Sequence, residues 1–324
     1  MTLTVSVVLC TYNGEAYLGE QLDSLLSQTR LPDEVVIGDD GSTDATPALL
    51  ESFTVRAKQL GIVVQLVHRS HNLGFIGNFS ETMRLANGDL LFLCDQDDVW
   101  LPGKLATMEQ RFDEDPDLLM LCTDAQLIGA RGEDLGVTLF GALELKSWEL
   151  AQVHGNCAFG VLLRRSMVTG ATAGLRKTLV SSALPVGPGW IHDEWLAIVA
   201  SSMGRMDALE ESWIKYRQHT HNQIGMRKRG ALDKWRDLVR PRRAQFEAEL
   251  VRLAALQAQL ERSGAVAQLA ELARKSGHFR IRVALGRRSR LLRWPLVMRE
   301  ARAGNYRRYG TGMRSVLRDL LRHD

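Results

Sequence analysis

The stretch LLFLCDQDDVW, Leu90 to Trp100, joins an uninterrupted apolar run to three carboxylates, Asp95, Asp97 and Asp98. An apolar run this short reads as a strand buried on both faces, the kind found in parallel sheets covered by helices. Carboxylates crowded at its end repel one another and resist burial, so the cluster asks for a cation, a basic partner or full solvation. Working outward, VSVVLC (Val5–Cys10), EVVIG (Glu34–Gly38) and VVQLVH (Val63–His68) read as further strands buried on both faces. Helical patterns over Glu15–Gln28, Pro47–Leu60 and Phe75–Asn87 lie between them, the second with Thr46 placed as N-cap and Pro47 at its first position. This alternation predicts an α/β fold, a parallel, doubly wound sheet flanked by helices. Ligands bind such sheets at the carboxyl ends of the strands, near the switch in strand order. Asp39-Asp40 ends the second strand and Asp95-Gln96-Asp97 follows the fourth, so both acidic clusters fall at the ligand end.

A chain of 324 residues that is 45% hydrophobic can bury a sizeable core. None of its apolar runs approaches the ~20 residues of a membrane-spanning helix, and the opening MTLTVSVVLCTYNG lacks a basic leader, so no secretory signal is expected. Cys10, Cys94, Cys122 and Cys157 are widely spaced and form no Cys-x-x-Cys pair, which predicts reduced core residues of a cytoplasmic protein. The net charge of +3 hides a division: residues 1–225 carry 16 Lys+Arg against 29 Asp+Glu (−13), and residues 226–324 carry 25 against 9 (+16). So basic a C-terminal region suggests an anionic surface, nucleic acid or the inner face of a membrane, with a solvated helical face packed on the catalytic domain as the plain alternative; the membrane is the preferred reading, because Arg287, Arg288, Arg290 and Arg293 interleave with Leu291, Leu292 and Trp294. No nucleic-acid-binding module is recognisable. Neither G-x-G-x-x-G nor G-x-x-x-x-G-K-[ST] follows the first strand, which excludes the dinucleotide and P-loop classes.

Residues 114–225 are less regular, with apolar pieces at Leu118–Cys122 and Cys157–Leu163, a strand at Trp213–Arg217 and a helix around Asp193–Met203. LPVGPGW, Leu184 to Trp190, reads as a flexible lip before that helix. Beyond Met226, Phe246, Leu250, Leu253, Leu256 and Leu260 recur at helical spacing as one apolar stripe.

Two carboxylates separated by one residue, as in Asp95-Gln96-Asp97, can bind Mg2+ or Mn2+ and leave coordination sites for phosphate oxygens. The plain alternative is a solvated turn before the helix near Pro102. In IGDDGSTDAT (Ile37–Thr46), Gly41 and Ser42 supply a tight turn whose carboxylates either accept from a base N–H and ribose hydroxyls or merely lead into a capped helix. Asp193 reads on residue type as the N-cap of the helix that follows, and Glu194 stands beside it as a second carboxylate. His219 and His221 form a H-x-H pair without a third clear metal partner.

Taken together, CTYNGEAYLGEQLDSLLSQT (Cys10–Thr29), PDEVVIGDDGSTDAT (Pro32–Thr46), NLGFIGNF (Asn72–Phe79), ANGDLLFLCDQDDVW (Ala86–Trp100) and WIHDEW (Trp190–Trp195) resemble the family 2 glycosyltransferases with a GT-A fold. YRQHTHNQIG (Tyr216–Gly225) makes the chain most similar to bacterial rhamnosyltransferase-like enzymes of cell-surface polysaccharide synthesis. The resemblance implies a Rossmann-like, mixed but mainly parallel sheet in a catalytic domain over 1–225. Its nucleotide-sugar half covers about 1–100 and its acceptor half about 101–225, with a basic, mainly helical region over 226–324. It implies that Thr11, Tyr12 and Glu15 hold the nucleotide, that Asp39 or Asp40 contacts pyrimidine and ribose, and that Asn72 and Gly74 form a second nucleotide-side loop. Asp95 and Gln96 fall on the sugar-nucleotide, Asp97 and His219 on a Mg2+ or Mn2+ ion, and Asp193 where a base deprotonates the acceptor hydroxyl. Trp190, His192, Glu194 and Trp195 lie on the acceptor side, His192 standing where the family often has Glu, and Asn222 and Gln223 shape a loop that closes over the donor. The implied partners are a nucleotide-diphospho-sugar donor, dTDP-rhamnose by family preference, and a saccharide or lipid-linked saccharide acceptor. The expected location is cytoplasmic, peripheral on the inner face of the membrane, with no nucleic acid and with room for a homo-oligomer. Competing classes are a phosphatase with Asp95 as nucleophile, which needs its aspartate where Cys10-Thr11-Tyr12 stands, and a non-catalytic nucleotide-sugar-binding or membrane scaffold of the same fold.

Overall fold

The predicted alternation forms in order in the computed structural model, which describes residues 3–219 and 240–323. The first half runs β1 (Val5–Thr11), α1 (Leu18–Leu26), β2 (Glu34–Asp39), α2 (Thr46–Gln59), β3 (Val63–His68), α3 (Gly74–Leu85) and β4 (Leu90–Cys94). These strands pair in parallel as β3-β2-β1-β4. Alternate side chains divide between two covered faces, so strands with continuous apolar runs suit both. Val5, Val7 and Leu9 of β1 and Leu90, Phe92 and Cys94 of β4 join a core with Leu18, Leu22 and Leu25 of α1 and Leu50 and Phe53 of α2. On the opposite face α3 packs against β1 and β2.

The chain continues through β5 (Val99–Trp100), α4 (Lys104–Glu114), β6 (Leu118–Ile128), β7 (Asp134–Thr138), α5 (Leu139–Ala142), α6 (Ser147–His154), α7 (Ala158–Arg164), β8 (Ala173–Arg176), α8 (Lys177–Ala183), α9 (His192–Met203) and β9 (Arg205–Arg217). The full sheet order is β3-β2-β1-β4-β8-β6-β9-β5, with β7 paired to β6. β8 runs antiparallel between β4 and β6, while β6 and β9 pair in parallel, giving a mixed but mainly parallel sheet. Gly174 makes that insertion possible, because a Cβ there would lie 2.7 Å from Cε1 of Phe92 on the neighbouring strand.

Two compact units make up the chain: Met1–Ala158, Met167–Val186 and Ile191–Gly225 in one, and Phe159–Ser166, Gly187–Trp190 and Met226–Asp324 in the other. In the second unit follow α10 (Arg243–Ser263), α11 (Val266–Leu285), α12 (Arg290–Arg302), α13 (Asn305–Arg308) and α14 (Met313–Leu321). Phe246, Leu253, Leu256 and Leu260 of the expected stripe are buried. Beside Phe246 the core becomes ionic. Arg282 lies 4.0 Å from the Phe246 ring centroid and pairs with Asp319 at 2.7 Å, and Asp319 also accepts from the Tyr306 hydroxyl at 2.8 Å.

Several expectations need correction. β3 is not buried on both faces: it is the sheet edge, and Val63 at its start is exposed, because an apolar run does not reveal whether a second neighbour will arrive. Thr46 does not cap α2 but belongs to it. Asp44 accepts the Thr46 N–H at 2.9 Å, and the Thr46 hydroxyl instead accepts from Gly14 N–H at 2.8 Å, fastening the loop after β1 to the start of α2. The strand expected at Trp213–Arg217 is the end of the longer β9. Cys10, Cys94 and Cys122 are buried thiols, whereas Cys157 is exposed in the turn before α7. Arg293, expected on a surface, is buried: helical phase turns it inward with Val297 and Glu300, and its Nη1 donates to the Arg322 carbonyl at 2.9 Å.

Candidate active site at the carboxyl ends of the central strands

The order of strands reverses between β1 and β4, which places the switch point between Thr11 and Asp95. Thr11, Asp39 and His68 stand side by side across the ends of β1, β2 and β3. Asp39 is buried and collects their polar contacts: it accepts from Thr11 Oγ1 at 2.8 Å and from Ser42 Oγ at 2.5 Å, and lies 3.5 Å from Nδ1 of His68. Asp40 accepts the N–H of Leu73 at 2.8 Å, and Asn72 accepts that of Gly74 at 2.8 Å, so the loop before α3 is tied to the end of β2. Glu15 accepts the Ala45 N–H at 2.9 Å. Tyr12 and Gln96 exchange two bonds, Tyr12 N–H to Gln96 Oε1 at 2.8 Å and Gln96 Nε2 to the Tyr12 carbonyl at 3.1 Å. A Cβ on Gly14 would lie 2.4 Å from that same Oε1, so any larger residue there would displace the Gln96 amide from this pair. Tyr12 itself is exposed, an aromatic face beside a row of hydrogen-bonding groups. Asn13, absent from the sequence reading, cross-links the two loops: its N–H donates to Ser42 Oγ at 2.9 Å, and its Oδ1 accepts from Thr43 N–H at 2.9 Å.

The acidic cluster is assembled by the far end of β9. Arg217 is buried, donating its N–H to Asp98 Oδ1 at 2.9 Å, Nε to the Asp97 carbonyl at 2.8 Å and Nη2 to Glu20 at 2.7 Å. Two residues on, His219 Nε2 lies 2.8 Å from Asp97 Oδ2, with its ring 4.8 Å from that of Tyr17. Burial, then the negative charges of Asp97 and Asp193, push the Asp95 carboxyl up to about 7. Asp98 is driven well above the carboxylate range by burial and by Asp97 and Asp95, and its Oδ2 is buried with no hydrogen-bond partner. Lys104 is fully buried, its Nζ 3.6 Å over the Trp100 ring and donating to the Ala171 carbonyl at 2.7 Å. Burial lowers it to about 7, against the pull of Asp98 and Asp95. Sequence patterning gave no sign of Lys104 or Arg217 as site residues, because neither sits in an acidic motif.

Among the described residues no three His, Cys, Asp or Glu side chains form a complete metal site. Asp97 nevertheless supplies a hard oxygen donor and His219 a borderline nitrogen donor where carboxylate repulsion is strong. That donor set fits a divalent ion whose remaining positions go to water and phosphate oxygens.

Asp193 lies in the first turn of α9, not at its N-cap, which is Ile191. Its Oδ2 accepts the N–H of Gly170 at 2.9 Å and its Oδ1 that of Glu194 at 2.7 Å. Burial raises its carboxyl above the ordinary range, and those two backbone bonds oppose the rise. Trp195 is a core residue whose Nε1 donates to the Ala183 carbonyl at 2.7 Å. Trp190 belongs to the second unit, its indole 4.1 Å from the Arg252 guanidinium and donating to the Arg252 carbonyl at 2.9 Å. His221, Asn222 and Gln223 lie outside the described residues.

His192 stacks on Phe79 at 4.3 Å, with both ring nitrogens buried and without hydrogen-bond partners. Burial lowers the imidazole from 6.5 to about 3. The folded protein therefore refuses a proton that the unfolded chain accepts. The resulting stability is fully present above about pH 6.5 and is lost as pH falls toward 3. His192→Phe should remove about 2 kcal/mol of the stability lost between pH 7 and pH 5. Urea-unfolding midpoints at the two pH values check this, and an acid slope equal to that of the wild type would contradict it.

Comparison with known proteins adds to this geometry. The pattern described as Glycosyl transferase family 2 matches residues 6–169. An uncharacterized protein of Mycobacterium tuberculosis is 30% identical over 222 residues, covering 67% of this chain and 59% of that relative. This chain therefore spans about three fifths of that relative's length. An uncharacterized glycosyltransferase of Nostoc is 26% identical over 232 residues, covering 68% of this chain and 66% of its own. Among solved structures, Staphylococcus aureus TarS 1–349 superposes with a TM-score of 0.54 at 17% identity, covering 97% of this chain and 90% of TarS. GalNAc-T7, solved with UDP, GalNAc and Mn2+, reaches 0.51 at 16% identity over 68% of this chain and 45% of its own. At these identities the likeness is one of fold, and it bears out the mixed α/β sheet of the GT-A type.

Proposed function

The chain belongs to glycosyl transferase family 2, and from that premise we propose an inverting sugar transfer from a nucleotide diphosphate to a saccharide or lipid-linked saccharide acceptor in surface polysaccharide synthesis. The observation that carries this reading is Asp193, a single carboxylate held by two backbone N–H groups and near enough to Asp95 for its charge to be felt there. An oriented base opposite a leaving diphosphate is what a single in-line displacement requires. Asp193 takes the proton of the acceptor hydroxyl as its oxygen attacks the anomeric carbon, and burial makes the carboxylate a stronger base than one in water. Thr11, Tyr12, Glu15, Asp39 and Asp40, fixed by the cross-linked loops, hold and orient the nucleotide. Asn72 and Gly74 close the nucleotide side, and Asp95 and Gln96 meet the ribose and sugar. Asp97 and His219 would hold Mg2+ or Mn2+, which neutralises the charge that develops on the diphosphate. His192, Glu194 and Trp195 shape the acceptor side of this unit.

L-rhamnose from dTDP-rhamnose is the donor we favour, on the Tyr216–Gly225 sequence. TarS was solved with UDP and with UDP-GlcNAc, so UDP-sugars belong in the same test. Calorimetry and thermal shift with dTDP-rhamnose, UDP-sugars and GDP-sugars, each with Mn2+ and with EDTA, decide the matter. The expected result is metal-dependent stabilisation by dTDP-rhamnose, RT ln(1 + [L]/Kd), or about 2.7 kcal/mol at a hundredfold excess over Kd. A stronger response to another sugar nucleotide overturns the rhamnose assignment alone, and silence across the panel overturns the transfer reading.

A further inference from the structure

The C-terminal unit carries a surface that no described residue of the unit covers. In α12, Leu291, Leu292 and Trp294 point outward, Leu291 being 89% exposed, while Arg293, Val297 and Glu300 face the core. In α14, Met313, Leu317 and Leu321 recur every fourth residue on the exposed side, Met313 at 72%, opposite buried Val316 and Asp319. Arg293 Nη1 donates to the carbonyls of Asp319 and Arg322, and Arg290 Nη2 lies 3.0 Å from His323 Nδ1. These bonds set the first turn of α12 beside the last turn of α14, so that the two helices carrying the apolar stripes adjoin. Single exposed apolar residues are ordinary, but six on two adjoining helices mark an interaction surface.

The charge around the stripes identifies the partner. From Arg287 to His323 the sequence has eleven arginines and two acidic residues, Glu300 and Asp319. Both carboxylates are buried and paired, Glu300 with His278 and Asp319 with Arg282, so they cancel nothing at the surface. Arg287, Arg288, Arg290 and Arg314 are exposed around the stripes. Every cation here is arginine, whose planar fork binds phosphodiester oxygens in pairs. Exposed leucines, a tryptophan and a rim of arginines with no exposed carboxylate from Arg287 to His323 among the described residues suit the headgroup boundary of a bilayer, where apolar groups enter and guanidinium groups meet phosphate. We propose that this part of the C-terminal unit, the outward faces of α12 and α14 with their arginine rim, docks on the surface of an anionic lipid bilayer. The apolar stripes enter the interface, and the arginines supply the attraction and the dependence on salt. This stands apart from the catalytic reading, because it involves no residue of the strand-end site.

Co-sedimentation of the full chain with vesicles tests it, using phosphatidylcholine alone and phosphatidylcholine containing phosphatidylglycerol, at low and high salt and without any sugar nucleotide. The wild type should bind the anionic vesicles at low salt at least tenfold more than the neutral ones, and lose most of that binding at high salt. Leu291→Glu with Leu317→Glu, and separately Arg287→Glu with Arg288→Glu, alter exposed positions and should each reduce binding tenfold or more while leaving the thermal unfolding midpoint unchanged. Equal binding of both vesicle types by the wild type, no binding at all, or full binding by the apolar double variant overturns the proposal. So does a change from dimer to monomer in the apolar double variant with vesicle binding intact, which would assign the surface to a second copy of the chain.

Discussion

Asp193→Asn is expected to leave donor binding within about threefold of wild type and to reduce sugar transfer by about 10^2 to 10^4, the range contributed by a positioned general base. The amide is isosteric and can still accept one of the two backbone bonds, from Gly170 at Oδ2 or from Glu194 at Oδ1, but it cannot take a proton. Loss of rate without loss of donor affinity separates the base from a residue that merely shapes the pocket. The pH profile gives a second readout. Burial raises the Asp193 carboxyl, so wild-type transfer should fall on acidification from a point above the ordinary carboxylate range, and the residual activity of the variant should lack that limb. Substantial transfer by Asp193→Asn, together with its loss in Glu194→Gln, would move the base to the neighbouring carboxylate.

Asp97→Asn carries the second large effect. Asp97 combines contact with His219 at 2.8 Å, a backbone carbonyl held by Arg217, and a charge that helps drive Asp95 up. Removing one carboxylate should weaken the Mn2+-dependent part of donor affinity tenfold or more while leaving affinity in EDTA nearly unchanged. The same change relieves Asp95 of a neighbouring negative charge and lets its carboxyl fall back toward the ordinary range. Carboxylate titration followed by NMR should show that fall with the thermal unfolding midpoint unchanged, which separates it from the fall that exposure of Asp95 by unfolding would also produce. An undiminished gain in affinity on adding Mn2+ would remove Asp97 from the metal role, whatever happened to Asp95.

Much of the nucleotide side was legible in the sequence because it is local. Strand, tight turn and helix follow within about a dozen residues, so Thr11, Asp39 and Asp95 had to emerge at strand ends once the alternating pattern was recognised. Asn13 escaped notice because its partners, Ser42 and Thr43, come from another loop, and residue type alone does not name a partner. Arg293 shows the same limit on a helix: an arginine between exposed leucines looks solvated until helical phase and a neighbouring helix turn it inward.

What the sequence by itself determined was the α/β class and the acidic residues at the carboxyl ends of the second and fourth strands, both consequences of side-chain periodicity in contiguous segments. Only the tertiary structure decided that β8 would enter antiparallel beside β4, that β3 would remain an edge, and that β9 would deliver Arg217 and His219 to aspartates more than a hundred residues earlier, at separations of 119 and 122. The physical reason is that periodicity records how much of each segment is buried, whereas long-range strand pairing fixes which buried segments become neighbours, and with them the charges that each site residue must meet.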